Sequence, residues 1–190
     1  MSAVPEKRYY LTCLALDGRS CLVVGGGGVA LEKARGLLEC GAHVTVVAPQ
    51  VRPELAALDV ELVRRGYRTQ DLDGRFLVVA ATSITSLNRR VYADAEARSL
   101  LCNVVDVPEL CSFILPAVLR RDPIAVAVST GGASPALAQR LRDDIADVVR
   151  PEHAELAERL RELRPWAKAH LPTYEDRRRF FAEVVTAELG

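Results

Sequence analysis

Cys21-Leu-Val-Val-Gly-Gly-Gly-Gly-Val-Ala-Leu-Glu-Lys-Ala-Arg35 places an apolar run, a glycine cluster and a helical pattern in direct succession. A phosphate-binding strand–turn–helix needs that order. Cys21–Val24 reads as a buried strand. Gly25 and Gly27 allow a tight turn and a close backbone approach to a pyrophosphate, and Ala30 is small enough for a helix to lie close on the sheet. A helix opening near Gly28, with Val29 in its first turn, aims unpaired N–H groups and the positive end of its dipole at the phosphates. The spacing Gly-x-Gly-x-x-Ala, at residues 25, 27 and 30, also occurs in glycine turns that hold no ligand. Here it follows a strand, precedes a helix and is succeeded by a second β-rich run, His43–Ala48. That context favours a dinucleotide site.

Outward from this motif the chain alternates strand and helix between residues 19 and 106. Ala30, Ala34, Leu37 and Leu38 share one helical face, and Gly41 is placed to end that helix. Further strands are expected at Val44–Ala48, Val60–Val63, Phe76–Ala81 and Leu101–Val105. A short helix is expected over Pro53–Leu58, and another with Ile84, Leu87, Val91 and Ala95 on its inner face. Strands joined by helices predict an α/β fold with a Rossmann-type parallel sheet.

Beyond Pro108 the rhythm changes. Phe113–Leu119 and Ile124–Val128 flank Arg120-Arg121-Asp122-Pro123 and read as a β-hairpin. Ser129-Thr-Gly-Gly-Ala-Ser-Pro135 is a glycine-rich turn leading into a helix, with Ser134 as N-cap and Pro135 as the first helical residue. Leu137, Leu141, Ile145 and Val148 form the expected apolar face of that helix. Pro151 starts a helix expected to end before Pro165, and Thr173 with Asp176 resembles a capping box opening the last one. The expected division is a nucleotide-binding domain over residues 1–112, a hairpin-and-helix region over 113–149 and a small C-terminal helical domain over 150–190.

Composition narrows the function classes. The 190 residues, 49% hydrophobic and 26% charged, suit one globular domain with a small appendage. Lys+Arg and Asp+Glu both total 25, so no net field draws nucleic acid. No apolar run reaches the ~18 residues that cross a bilayer, and the N-terminus lacks a signal peptide's apolar core. The five cysteines (Cys13, Cys21, Cys40, Cys102, Cys111) form no CxxC pair. They point to a reducing cytoplasm, not a disulfide framework. His43, His153 and His170 are too scattered to indicate a metal site.

Four segments in order carry a family resemblance: Gly25-Gly-Gly-Gly-Val-Ala30, Ala80-Ala-Thr82 with Asn88, Cys102-Asn-Val-Val-Asp-Val-Pro108, and Ser129-Thr-Gly-Gly-Ala-Ser-Pro135. The chain resembles the precorrin-2 dehydrogenase / sirohydrochlorin ferrochelatase family, the N-terminal module of siroheme synthase. The resemblance implies NAD-dependent oxidation of precorrin-2, a reduced tetrapyrrole rich in carboxylates, to sirohydrochlorin. It also implies a homodimer in which the 113–149 region pairs with its counterpart. Some members also insert Fe²⁺ into sirohydrochlorin, so a bifunctional enzyme is one alternative. A non-catalytic NAD-sensing module is another.

The resemblance places the general base, and the group assisting metal insertion, at Asp106, at the carboxyl end of the fifth strand. The competing role for Asp106 is to cap the turn before Pro108. Cys102 and Asn103 read as strand and turn positions. The end of the second strand, Val46-Val-Ala-Pro-Gln50, lacks the acidic residue that usually holds the adenosine ribose. A family-type site uses backbone groups near Pro49 and Gln50 instead, which leaves NAD versus NADP preference open. Arg52 reads as a solvated surface arginine, with a 2′-phosphate partner as the alternative. Thr82 either lies beside the cofactor or caps the next helix. Ser129, Thr130 and Gly131 form either an anion site for a substrate carboxylate or a plain turn. In some fused members a serine of this turn is phosphorylated, at the position Thr130 occupies. Arg120, Arg121 and the Arg177–Arg179 run are candidates to pair with substrate carboxylates, with solvated surface as the alternative.

Overall fold

The structure is a computed structural model describing residues 9–190; the extreme N-terminus, including the start of the expected 1–112 domain and the stretch lacking a signal-peptide core, lies outside the described residues. The chain divides into two compact units, the first ending at Ile114 and the second spanning Leu115–Gly190.

The first unit carries β1 (Ser20–Val24), α1 (Gly28–Leu38), β2 (His43–Val47), α2 (Pro53–Ala56), β3 (Glu61–Val63), β4 (Leu77–Ala80), α3 (Thr85–Glu96) and β5 (Leu101–Val104). All strand pairs are parallel, in the order β3-β2-β1-β4-β5. Side chains alternate across this sheet with period two, and both faces are apolar. Cys21, Val23, Val44, Val46, Leu77 and Val79 pack with Ala30, Ala34 and Leu37 of α1 on one side. Leu22, Val24, Val78, Ala80, Cys102 and Val104 pack with Val91 and Ala95 of α3 on the other. Burial pushes the Cys21 thiol up to about 11 and the Cys102 thiol up to about 12. Both are therefore inert core positions.

Gly41 ends α1 as its spacing predicts. It lies at φ +77, and the N–H groups of Gly41 and Ala42 donate to the carbonyls of Leu38 and Leu37. On α3 the inner face differs from expectation. Ile84 is exposed, and the buried polar residue Asn88 takes the inward position beside Val91 and Ala95. The reason is that α3 starts at Thr85, leaving Ile84 as its extended N-cap outside the helical stripe.

The connection from β3 to β4 contains a single 3₁₀ turn, Thr69–Leu72. Asp71 organises it, accepting hydrogen bonds from Arg65 Nη1 (2.8 Å) and the Arg68 N–H (2.8 Å). The Arg65 guanidinium is the largest influence holding the Asp71 carboxyl below its usual 3.8. A depressed folded value means the stabilisation is present above the unfolded pKa and is lost as the pH falls through the folded one. Asp71→Asn should therefore lower stability at pH 7 by about 1–2 kcal/mol. It should also reduce the difference between thermal melts at pH 7 and pH 3. An unchanged pH difference would remove Asp71 as a source of acid sensitivity.

The second unit holds the antiparallel hairpin β6 (Ala117–Arg121) and β7 (Ile124–Val128), then α4 (Pro135–Val148), α5 (Pro151–His170) and α6 (Tyr174–Leu189). Ser134 caps α4, its Oγ accepting from the Leu137 N–H at 3.2 Å, and Thr173 caps α6 through the Asp176 N–H at 3.0 Å. Two expectations fail here. The inward stripe of α4 is centred on Ala138, with Ile145 and Ala146 half-buried, while Leu137, Leu141 and Val148 are exposed. The helix is turned one residue from the expected face because a small alanine lets it approach the hairpin closely. Helix α5 also continues through Pro165. Pro165 is exposed, so the carbonyl it leaves unpaired faces water. Beyond it Ala167 is fully buried and Trp166 packs against Phe180 of α6 at 5.4 Å, which holds the last turns in place.

Candidate functional site

The loops after β1, β2, β4 and β5 meet at the carboxyl edge of the parallel sheet. Sheet growth from β1 runs through β2 to β3 on one side and through β4 to β5 on the other. Open α/β sheets bind ligands at such a switch point.

Each glycine of the β1–α1 turn has its own reason. Gly25 lies at φ +134 and donates its N–H to the Val47 carbonyl (3.0 Å). A Cβ there would run into the carbonyl of Ala81, 2.8 Å from its carbon. Gly26 presses on the loop after β2, where a Cβ would strike the Gln50 carbonyl; its own carbonyl accepts from the Arg52 N–H (3.0 Å). Gly27 is the N-cap of α1, and a Cβ there would meet no described heavy atom within 4 Å. Gly25 and Gly26 thus serve backbone packing, while Gly27 presents bare backbone to open space. No side chain caps α1, and Gly28 and Val29 of its first turn are exposed. Bare backbone in front of an uncapped helix start fits the pyrophosphate of a dinucleotide.

Pro49 and Gln50 are exposed on the same edge. Just beyond them Arg52 pairs with Glu54, Nε and Nη2 lying 3.3 and 3.2 Å from its carboxylate oxygens. That pairing holds the Glu54 carboxyl below its usual value. After β4, Thr82 donates its hydroxyl to Asn88 Oδ1 (2.7 Å) and accepts from the Ile84 N–H (3.1 Å), while Asn88 Nδ2 returns a bond to the Thr82 carbonyl (2.9 Å). The helix N-cap is Ile84, so Thr82 is a loop residue held in place by buried Asn88.

Asp106 follows β5. The N–H groups on either side of it are used, Val105 donating to Ala80 (3.0 Å) and Val107 to Val104 (3.2 Å). Asp106 itself adopts φ +61, a left-handed conformation that strains most side chains and that aspartate tolerates. It is exposed, and its carboxylate takes no hydrogen bond or ion pair from any described residue. The following 3₁₀ turn, Pro108–Leu110, has no side-chain cap. The capping role therefore finds no support. Asn103, by contrast, is buried and donates to the Phe113 carbonyl at 3.0 Å, a structural pin.

In the second unit the turn before α4 is built from its own side chains. Gly131 and Gly132 lie at φ +65 and +90. Ser129 Oγ accepts from the Gly131 N–H (3.2 Å), and Thr130 Oγ1 accepts from the Ser134 N–H (3.0 Å) and faces its carbonyl (3.1 Å). Arg121 Nη2 donates to the Ala146 carbonyl of α4 (3.2 Å). Gly26, Glu54 and Asn88 are site-edge residues to which the sequence assigns no role: Gly26 lies in the unbroken glycine run and Asn88 in a motif segment, but the bonds of Asn88 to Thr82 are visible only in the structure.

The fold and its carboxyl edge define a dinucleotide-binding α/β protein. Comparison with known proteins narrows this: the chain belongs to the family described as "Putative NAD(P)-binding", whose model matches residues 12–117. Residues 121–147 match the central part of sirohaem biosynthesis proteins, and residues 152–190 match the sirohaem synthase dimerisation region. The chain is 45% identical over 181 residues to the siroheme synthase of Thioalkalivibrio sulfidiphilus, covering 93% of this chain and 37% of that protein. It is 46% identical over 173 residues to that of Pseudomonas entomophila, covering 89% and 37%. The chain thus spans well under half the length of these curated relatives. Among solved structures, SirC, a precorrin-2 dehydrogenase, superposes with a TM-score of 0.77 at 28% identity, over 96% of this chain and 93% of that one. The resemblance carried by the four motifs holds along the chain.

Proposed function

We propose that this protein is a precorrin-2 dehydrogenase, oxidising precorrin-2 to sirohydrochlorin with NAD⁺. The observation that carries the reading is Asp106: an exposed carboxylate on left-handed backbone, with no hydrogen bond or ion pair from any described residue, on the carboxyl edge of a dinucleotide fold. Bound NAD⁺ supplies the hydride acceptor. The chain's own residues do the rest. Gly27, Gly28 and Val29 hold the pyrophosphate with backbone N–H groups, backbone near Pro49 and Gln50 meets the adenosine ribose, and Thr82 lines the cofactor. Asp106 accepts the proton that leaves the macrocycle as the hydride departs. Its freedom from internal partners keeps its oxygens open for that proton.

For the second unit we propose that Arg121, which spends one N–H on Ala146, and the Ser129, Thr130 and Gly131 turn engage substrate carboxylates. We propose a homodimer as well. Leu137, Leu141 and Val148 of α4, Leu115 and Val118 are exposed apolar side chains in one copy, and residues 152–190, beyond the 113–149 stretch expected to pair, match a dimerisation region. Among the described residues no helix is long and apolar enough to cross a membrane. Supplying precorrin-2 and NAD⁺ without oxygen tests the activity: NADH should accumulate only when both are present. Adding Fe²⁺ to the sirohydrochlorin formed, against a protein-free control, reads metal insertion separately. NAD⁺ binding with no turnover of the tetrapyrrole would instead favour a sensing module.

A further inference from the structure

The structure assigns Arg52 as the residue that recognises a phosphate on the 2′-hydroxyl of the adenosine ribose, giving this chain affinity for NADP⁺ as well as NAD⁺. This rests on the dinucleotide-site reading above. Three observations meet at one place. First, the stretch after β2, Ala48-Pro-Gln-Val-Arg-Pro53, contains no acid. In this fold an acidic residue there holds the free ribose diol and repels a 2′-phosphate, whereas an arginine accommodates one. Second, Arg52 is fixed to the glycine turn by its own backbone, its N–H donating to the Gly26 carbonyl at 3.0 Å. Third, its guanidinium lies over the start of α1: a Cβ built on Gly28 would stand 3.5 Å from Nη1.

A cation held against the positive end of a helix is electrostatically misplaced unless an anion joins it. Glu54 is the anion present in the structure, and it engages Nε and Nη2 from one side. That leaves Nη1, on the side facing α1, with no hydrogen-bond partner among the described residues and directed where the helix start would also attract a phosphate. A planar guanidinium donating to phosphate oxygens is the chemistry this arrangement suits. Glu54 then has a second effect: it orients Arg52 while offsetting part of its charge.

Equilibrium titration calorimetry of the full chain with NAD⁺ and with NADP⁺ tests the assignment without relying on turnover. Arg52→Gln should weaken NADP⁺ binding about 10- to 100-fold and NAD⁺ binding much less. Glu54→Gln should tighten NADP⁺ binding about two- to fivefold by releasing the cation. The two exposed substitutions move affinity in opposite directions, so a general loss of folding cannot mimic both. If the wild-type chain binds NAD⁺ but Arg52→Gln leaves NADP⁺ binding unchanged, or weakens both dinucleotides equally, the assignment falls and the dinucleotide site stands. If the wild-type chain binds neither, the site reading falls with it.

Discussion

Asp106→Asn should reduce turnover of precorrin-2 by about 10²- to 10⁴-fold, the range a positioned general base contributes. NAD⁺ affinity should stay within a factor of about two, since the carboxylate lies after β5, outside the glycine turn. The substitution is a clean one. Asparagine tolerates φ +61 as readily as aspartate, and no described residue loses a hydrogen bond when the charge goes. A thermal melt matching the wild type would confirm that the fold is intact. Wild-type turnover in that variant would remove Asp106 from the chemistry.

A pair of glycine substitutions should separate folding from cofactor binding. Gly25→Ala adds a Cβ that collides with Ala81 backbone at a φ of +134. Strain and overpacking together should cost about 3 kcal/mol or more, seen as a drop in melting temperature of roughly 10 °C or greater. Gly27→Ala meets nothing within 4 Å and keeps φ −87, which alanine adopts readily. Its stability should change by less than about 1 kcal/mol. If the pyrophosphate is held at this turn as proposed, the added methyl group stands in its path, and NAD⁺ binding should weaken about 10-fold or more. Equal loss of stability in both variants would mean the turn is structural throughout.

Much of this was legible in the residues. Apolar runs bounded by glycine and proline located every strand of the parallel sheet to within a residue or two, and Gly41 and Thr173 marked helix ends by chemistry that does not depend on the rest of the fold. What stayed hidden depends on distant partners. On α4, Leu137/Leu141 and Ala138/Ile145 both satisfy helical spacing; the choice between them is made by how closely the hairpin can pack, which a hydrophobicity pattern does not encode. Pro165 reads as a stop because its missing N–H is a local property, yet its exposure and the Trp166–Phe180 contact decide that the helix runs on. The 3₁₀ turn at Thr69–Leu72 is held by Arg65, Arg68 and Asp71, polar contacts with no periodicity to find. At the site, the motif pointed to Asp106, but its left-handed backbone and lack of partners are visible only in three dimensions. The same is true of Gly26, whose need for hydrogen in place of a side chain comes from Gln50, in the loop after another strand.

The most direct measurement is an anaerobic reaction of the purified chain with precorrin-2 and NAD⁺, with no iron, recording NADH absorbance and the sirohydrochlorin spectrum together. Removal of one hydride and one proton from the macrocycle requires the two products to appear in equal amounts and at the same rate. Sirohydrochlorin forming without NADH, or neither product forming in a chain shown to bind NAD⁺, would contradict a dehydrogenase built on this site.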